Sequence, residues 1–239
     1  MKKQHLATML FQSTQSYANE SSMRIKIDGQ WQTRSYQEVE DAVRQIARAL
    51  LAAGAQQGDR IGIFSQNRPE WTLADFAILA IRAIAVPIYA TNTQEQAAYI
   101  IDDTEMSIIF TGDQPNYNKI EAILAQSPHL KTIITFDDDT KISGQASQHF
   151  SQFLALGADK TQDAKINAQL VDADTEELAT IIYTSGTTGE PKGVMLTHGN
   201  IFHQFVAMEG QFDVGPGDRS LCFLPLSHVY ERTWSFYIF

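Results

Sequence analysis

The residues best suited to chemistry lie together in one segment, between Thr184 and Gly193. The segment reads Thr-Ser-Gly-Thr-Thr-Gly-Glu-Pro-Lys-Gly and follows an apolar stretch that ends at Tyr183. Three glycines allow the backbone to approach a ligand closely, four hydroxyls can bond to phosphate oxygens, and Lys192 adds a positive charge. This composition predicts a loop that binds a nucleoside triphosphate, with a strand entering the loop and a helix leaving it.

The spacing within this loop differs from that of the common P-loop. A P-loop has glycine directly before its lysine, whereas Pro191 precedes Lys192 here. A Walker-type NTPase is therefore disfavoured. A short Gly-rich pattern taken alone is more often a flexible turn than a binding loop, so composition by itself leaves both interpretations open.

A family resemblance decides between them. The run from Tyr183 to Asn200, YTSGTTGEPKGVMLTHGN, resembles the phosphate-binding signature of the adenylate-forming enzymes, also called AMP-dependent synthetases and ligases, almost letter for letter. A second run, LPLSHVYERT from Leu224 to Thr233, resembles the second motif of this family as it occurs in long-chain fatty acyl-CoA synthetases. Asn67 to Trp71 and Ala85 to Thr91 are similar to the early helix and strand of the same enzymes, so the resemblance covers most of the chain.

The resemblance implies an ATP-dependent acyl-CoA ligase. In this family ATP and a carboxylate give an acyl-adenylate and diphosphate, and the thiol of coenzyme A then takes the acyl group. A fatty acid as the carboxylate is inferred from Tyr230, Glu231 and Arg232. Other branches of the family remain open as alternatives, namely an acyl-AMP ligase or an aryl-CoA ligase, and so does a truncated nucleotide-binding module without catalysis.

Site residues carry over from the two motifs by the same resemblance. Lys192 is expected to act as an electrostatic clamp, Thr184 to reach the Mg²⁺ that comes with ATP, and His228 to lie near the adenylate and the mouth of the acyl pocket. The residues expected around the β- and γ-phosphates are Thr184, Ser185, Gly186, Thr187, Thr188, Gly189 and Lys192.

Several family features do not occur in residues 1–239. The Tyr-Gly-x-Thr-Glu motif, the aspartate that holds ribose, and the small C-terminal domain with its catalytic lysine are all missing. The last residues, Thr233 to Phe239, form an apolar and aromatic run. We therefore expect residues 1–239 to be the N-terminal part of an adenylation domain that is inactive alone, with the missing C-terminal part of the same chain as its partner.

The elements around the motifs predict an α/β fold. Asp28-Gly29 predicts a hairpin turn, and Ser35 with Glu38 forms a capping box before an amphipathic helix that runs to Gly54. Short apolar runs then alternate with helical patterns, which is typical of βαβ units and a mostly parallel sheet covered on both faces. The predicted segments are Arg60–Phe64, helix Pro69–Arg82, Ala85–Ile88, helix Gln94–Asp102, Ser107–Phe110, helix Asn116–Gln126 and Leu130–Phe136.

Charge and composition exclude some partners. With 18 basic and 28 acidic residues the net charge is −10, which disfavours nucleic acid and electrostatic docking on anionic lipid. One cysteine, Cys222, excludes an intramolecular disulfide and fits a cytoplasmic protein. No secretion signal, membrane span or metal-ligand spacing is recognised. Peripheral contact with a membrane stays compatible, because a long-chain substrate partitions into lipid.

Overall fold

The computed structural model describes residues 4–184, 191–208, 211, 215 and 217–238. Helix α1 (Leu6–Tyr17) is followed by an antiparallel hairpin of β1 (Ser21–Ile27) and β2 (Gln30–Ser35). The predicted turn is confirmed, since Asp28 and Gly29 have φ of 49° and 79°. The predicted capping box is also confirmed: the Ser35 hydroxyl accepts from the Glu38 amide at 3.2 Å and the Glu38 carboxylate accepts from the Ser35 amide at 2.7 Å.

From Tyr36 to Thr135 the chain alternates helices and strands as predicted, and none of the described helices of the chain is long and apolar enough to cross a bilayer. The elements are α2 (Tyr36–Ala52), β3 (Arg60–Phe64), α3 (Pro69–Ala80), β4 (Ile84–Ile88), α4 (Gln94–Thr104), β5 (Ile108–Thr111), α5 (Gln114–Leu124), β6 (Thr132–Thr135), β7 (Ser147–His149), α6 (Phe150–Leu156), α7 (Asp163–Val171), β8 (Leu178–Thr184), β9 (Lys192–Thr197), α8 (His198–Met208), α9 (Val229–Arg232) and a π-helical segment, Thr233–Ile238.

Seven of the strands form one sheet in the order β7-β6-β5-β3-β4-β8-β9. All neighbours pair in parallel except β8 and β9, which are antiparallel. Helices cover both faces. One core includes residues of α1, α2, α3 and α6, and a second core lies against α4 and α5. The predicted α/β class with a mostly parallel, doubly covered sheet is confirmed.

The prediction of a helix directly after the Thr184–Gly193 loop is wrong. Residues Lys192–Thr197 form strand β9 instead, because they complete a hairpin with β8 in which Thr184 pairs with Lys192. The helix begins at His198, where the Thr197 hydroxyl accepts from the Asn200 amide at 3.1 Å. The loop therefore lies between two strands, and the helix begins only after β9.

Candidate functional site

Two of the predicted site residues face each other across the β8–β9 hairpin. Thr184 is the last residue of β8 and Lys192 the first of β9, and the two are directly paired and exposed. Side chains of directly opposed residues lie on the same face of a sheet, with Cβ atoms about 5 Å apart. The hydroxyl and the ammonium group therefore converge at the mouth of the loop. The other predicted loop residues lie outside the described residues: Ser185, Gly186, Thr187, Thr188 and Gly189.

The third predicted residue, His228, caps a short helix. It precedes α9, and its Nδ1 accepts a hydrogen bond from the Tyr230 amide at 3.2 Å. Because Nδ1 accepts, the neutral ring carries its proton on Nε2 and can donate from there. The preceding residue, Ser227, is buried, and the Pro225 carbonyl accepts from the His228 amide at 2.9 Å.

A buried ion pair ties α9 to the sheet. The Arg232 guanidinium, 1% exposed, makes a two-pronged bond with the Asp75 carboxylate of α3, in which Nε donates to Oδ2 at 2.8 Å and Nη2 to Oδ1. Its Nη1 donates to the Thr180 hydroxyl of β8 at 2.8 Å. All three guanidinium nitrogens thus donate within the protein, so Arg232 does not offer these donors to a substrate.

The Tyr-Glu-Arg segment used to infer the fatty acyl substrate therefore has mixed roles. Glu231 and Arg232 are buried at 2% and 1% exposure, whereas Tyr230 is 56% exposed. The Glu231 carboxylate accepts from the Ser235 hydroxyl at 2.6 Å. Of these three side chains, Tyr230 is the one placed to meet a ligand.

The sheet geometry brings the three predicted residues to one face. Side chains alternate along a strand, so Thr180 and Thr184 of β8 point to the same side. Arg232 reaches Thr180 on that side, and the helix that His228 caps lies there as well. Four residues of strand span about 13 Å. The candidate site is thus a surface between the end of the β8–β9 hairpin and the start of α9.

Asn67 holds the chain segment that leads to His228. Its Nδ2 donates to the Leu224 carbonyl at 2.7 Å and to Cys222 Sγ at 3.3 Å, while its Oδ1 accepts from the Leu226 amide at 2.9 Å. Burial, reinforced by the Glu231 carboxylate, raises the pKa of the Cys222 thiol to about 12. The thiol therefore stays protonated, and it serves as a packing group rather than a nucleophile.

Arg68 bridges the crevice that usually binds ligands in doubly wound sheets. Strand β3 has β4 on one side and β5 on the other, so the chain changes direction beside β3, and ligands commonly bind at the carboxyl ends of such strands. Arg68 spans this point, donating to the Gly112 carbonyl at 2.9 Å and pairing with Asp137 at 2.8 Å and Glu70 at 2.9 Å. A side chain at Gly112 would lie 2.4 Å from the Ser65 hydroxyl. The candidate site accordingly lies at β8 and β9.

The described residues offer no resident metal site. No group of three or more His, Cys, Asp or Glu side chains that could hold an ion occurs within the part of the chain that the structure describes. The exposed hydroxyl of Thr184 offers a single oxygen donor. That single ligand fits Mg²⁺ arriving on ATP, whose phosphates and waters supply most of the ion's coordination.

Two histidines stack in the core beside the site. The rings of His5 and His198 lie 3.5 Å apart between centroids, and His198 Nδ1 accepts from the Leu6 amide at 3.4 Å. Burial lowers the pKa of His5 to about 4 and that of His198 to about 2, and for His198 the adjacent His5, Arg232 and Arg82 lower it further. Both rings are therefore neutral near pH 7.

This pair predicts acid-sensitive stability. An unfolded histidine has a pKa near 6.5. Between pH 6.5 and 4 these two histidines are therefore protonated in the unfolded chain but not in the folded protein. We expect the free energy of unfolding to fall by roughly 2 to 4 kcal/mol between pH 7 and pH 5, measured by urea unfolding. His198→Gln should flatten this slope, whereas the exposed His203→Gln should leave it unchanged. Equal slopes in all three proteins would exclude the histidine pair as the cause.

Sequence patterns missed two acidic residues near the site, Asp75, which pairs with Arg232, and Asp103, which accepts from the Tyr183 hydroxyl. Asp75 carried a usable signal, because it is an acidic residue in a helix whose residues from Trp71 to Ala80 are all buried, and such a charge requires a partner. Asp103 carried no usable signal in the sequence, since it is one of several polar residues at the end of α4.

Comparison with known proteins agrees with this architecture. A family model described as AMP-binding enzyme matches residues 13–239. The chain is 33% identical over 233 residues to the long-chain-fatty-acid–CoA ligase FadD15 of Mycobacterium bovis, covering 97% of this chain and 38% of the ligase. It is 35% identical over 217 residues to long-chain-fatty-acid–CoA ligase 1 of Cavia porcellus, covering 87% of this chain and 31% of that one.

A solved structure shows the same fold. The long-chain-fatty-acid-CoA ligase FadD1 of Archaeoglobus fulgidus superposes with a TM-score of 0.81 at 19% identity, over 98% of this chain and 45% of that one. At this identity the likeness concerns the fold alone. The chain spans less than two fifths of the length of the two curated relatives, and it matches their N-terminal part.

Proposed function

Because this chain belongs to the AMP-binding enzyme family, we propose that it is the N-terminal portion of a long-chain fatty acid–CoA ligase. The complete enzyme would convert a fatty acid, ATP and coenzyme A to acyl-CoA, AMP and diphosphate through an acyl-adenylate. Residues 1–239 would form the first part of the adenylation domain. The observation that carries the proposal is the convergence of Thr184 and Lys192 at the mouth of the β8–β9 hairpin, on the sheet face that also carries α9.

This geometry supports separate roles for Lys192 and Thr184. The Lys192 ammonium would hold the β- and γ-phosphates and stabilise the charge that develops on departing diphosphate, which is electrostatic catalysis. The Thr184 hydroxyl would bind a phosphate oxygen or the Mg²⁺ that accompanies ATP. Holding the nucleotide in one orientation lets the carboxylate attack the α-phosphorus in line, so the loop would accelerate the reaction mainly by positioning.

The acyl group would lie toward α9. His228 can donate from Nε2, and the exposed Tyr230 lies two residues further on. Two exposed apolar side chains, Leu221 and Phe223, precede this helix at 72% and 73% exposure. An apolar surface next to a hydrogen-bond donor suits a fatty acid, whose chain needs apolar contact while its carboxylate or adenylate needs a polar partner.

The test is fatty-acid-dependent exchange of diphosphate into ATP by the full-length protein that carries this chain. We expect exchange with a long-chain fatty acid and release of acyl-CoA when coenzyme A is added. Exchange without thioester formation would indicate an acyl-AMP ligase, and preference for an aromatic carboxylate an aryl-CoA ligase. Nucleotide binding without exchange for any carboxylate would overturn the proposal in favour of a non-catalytic module.

A further inference from the structure

The residue pair of the β8–β9 hairpin next to Thr184 and Lys192 differs from the others because one of its members is a glycine. It consists of Tyr183 and Gly193. Side chains of this pair point to the sheet face opposite that of Thr184 and Lys192, because facing alternates along each strand. Tyr183 therefore lies over the core of α4 and α5, to which it belongs, at 6% exposure.

The missing side chain of Gly193 makes room for the tyrosine ring. A Cβ added at Gly193 would lie 3.1 Å from Cζ of Tyr183, 3.3 Å from its hydroxyl oxygen and 2.9 Å from Cγ2 of Ile181. These separations are shorter than ordinary carbon contacts, so the ring crosses β9 at the one position where no side chain obstructs it. The absence of a side chain is thus a packing requirement here.

The hydroxyl at the end of the Tyr183 ring reaches a carboxylate on helix α4. The Tyr183 hydroxyl donates a hydrogen bond to Oδ2 of Asp103, one residue before the end of α4. The edge of Tyr183 also meets the ring of Tyr99, with centroids 6.3 Å apart at 86°. Burial, together with the bond to Asp103, raises the pKa of the Tyr183 phenol above its usual value. The phenol therefore keeps its proton and donates throughout the neutral pH range.

Strand β9 is held in the sheet through its ladder with β8, the strand that carries Tyr183. It is the last strand of the sheet, and its Val194 and Met195 are exposed at 43% and 63% although they point to opposite faces. Strand β8 is fixed on its other face by the bond between Arg232 and Thr180, four residues from Thr184. Among the described contacts, the bond between Tyr183 and Asp103 is the side-chain hydrogen bond nearest the mouth of the loop.

We infer that Asp103 and Tyr183 are positioning residues for nucleotide binding: their hydrogen bond ties the mouth of the β8–β9 hairpin to α4 and so fixes the separation and direction of Thr184 and Lys192. Neither residue touches the nucleotide, since both act from the opposite face of the sheet. The inference rests on the proposed function for the identity of the ligand, ATP, but the anchoring itself is a property of the hairpin.

The test uses four variants of the full-length protein. Tyr183→Phe removes the hydroxyl and keeps the ring over Gly193, Asp103→Ala removes the acceptor, and Asp103→Asn retains an acceptor oxygen. Asp102→Asn is the matched control, because the exposed Asp102 lies on the same helix and accepts from the Ser127 hydroxyl at 2.8 Å instead. The measurements are the KM values for ATP and for the fatty acid, kcat, Tm, and hydrogen exchange of the β9 amides.

Loss of the bond should weaken ATP use selectively. We expect Tyr183→Phe and Asp103→Ala to raise the KM for ATP by about tenfold, the scale of one hydrogen bond to a charged group, with the KM for fatty acid within about twofold. Asp103→Asn should recover most of the loss, and Asp102→Asn should match the wild type. The β9 amides should exchange faster in the first two variants only.

Three outcomes would overturn the inference. They are an unchanged KM for ATP in an active enzyme, equal increases in both KM values together with a lower Tm, and equal exchange of the β9 amides in Tyr183→Phe and Asp102→Asn. If the wild-type protein shows no exchange of diphosphate, the proposed function fails, and the hydrogen-exchange comparison still decides whether the anchor exists.

Discussion

Replacing Lys192 by alanine in the full-length protein should slow formation of the acyl-adenylate by about a hundredfold or more, the scale of removing a principal electrostatic stabiliser. The side chain is exposed at the mouth of the hairpin, opposite Thr184, and within the described residues it makes no salt bridge. Its charge is therefore available to phosphate. Fatty-acid-dependent exchange of diphosphate into ATP measures the effect.

Two further variants make the result specific to this position. Lys192→Arg keeps the charge and should retain a larger share of the activity, although the guanidinium has a different shape and reach. Lys165→Ala removes an exposed lysine of α7, outside the hairpin, and should leave the exchange rate unchanged. A Lys192→Ala enzyme with the wild-type rate would remove this residue from the mechanism.

Arg232→Ala should destabilise the protein by about 3 to 5 kcal/mol, because it removes the guanidinium charge that faces the buried Asp75 carboxylate. Both side chains are 1% exposed, so solvent cannot replace the lost bonds. Urea unfolding measures the change in the free energy of unfolding. Arg24→Ala, on the exposed strand β1, is the matched control and should change it by less than about 0.5 kcal/mol.

A double variant distinguishes two effects: removal of the whole ion pair, and removal of one charge while the other stays buried. Asp75→Leu with Arg232→Met fills the same space with apolar groups, and such replacements are often neutral or stabilising. We expect the double variant to recover most of the stability lost in Arg232→Ala. A double variant as unstable as the single one would show that packing of the guanidinium, including its position over Trp71 at 5.7 Å, matters more than charge.

Local chemistry explains which elements were predictable from sequence. Strand Arg60–Phe64 was predicted with its observed bounds, because a short apolar run lies between polar ends, and the Ser35 capping box was predicted because its two partners are three residues apart. Strand β9 was misassigned to a helix, because Val194 to Leu196 are apolar without alternation and only the pairing with β8 decides their conformation.

The sequence predicts the site residues whose role follows from their own side chain. It does not predict the residues whose role depends on a partner far away in the sequence. Thr184, Lys192 and His228 belong to recognisable motifs, and the structure places them on one face of the sheet. Arg232 was read as part of a substrate signal, but its role depends on Asp75, which lies 157 residues away in sequence. No local pattern contains such a pairing, since it arises only when α3, β8 and α9 pack together.

The contacts that assemble the site close some of the longest loops in the chain. Asn67 and Leu226 are separated by 159 positions, and Leu6 and His198 by 192, whereas strands β3 to β7 are joined to their neighbours through short crossovers. Closing a long loop costs more chain entropy than closing a short one, and distant contacts slow folding. The β3–β7 part of the sheet can thus form early, while the surface that would receive ATP is completed last, after α8 and α9 have returned to the first helices of the chain.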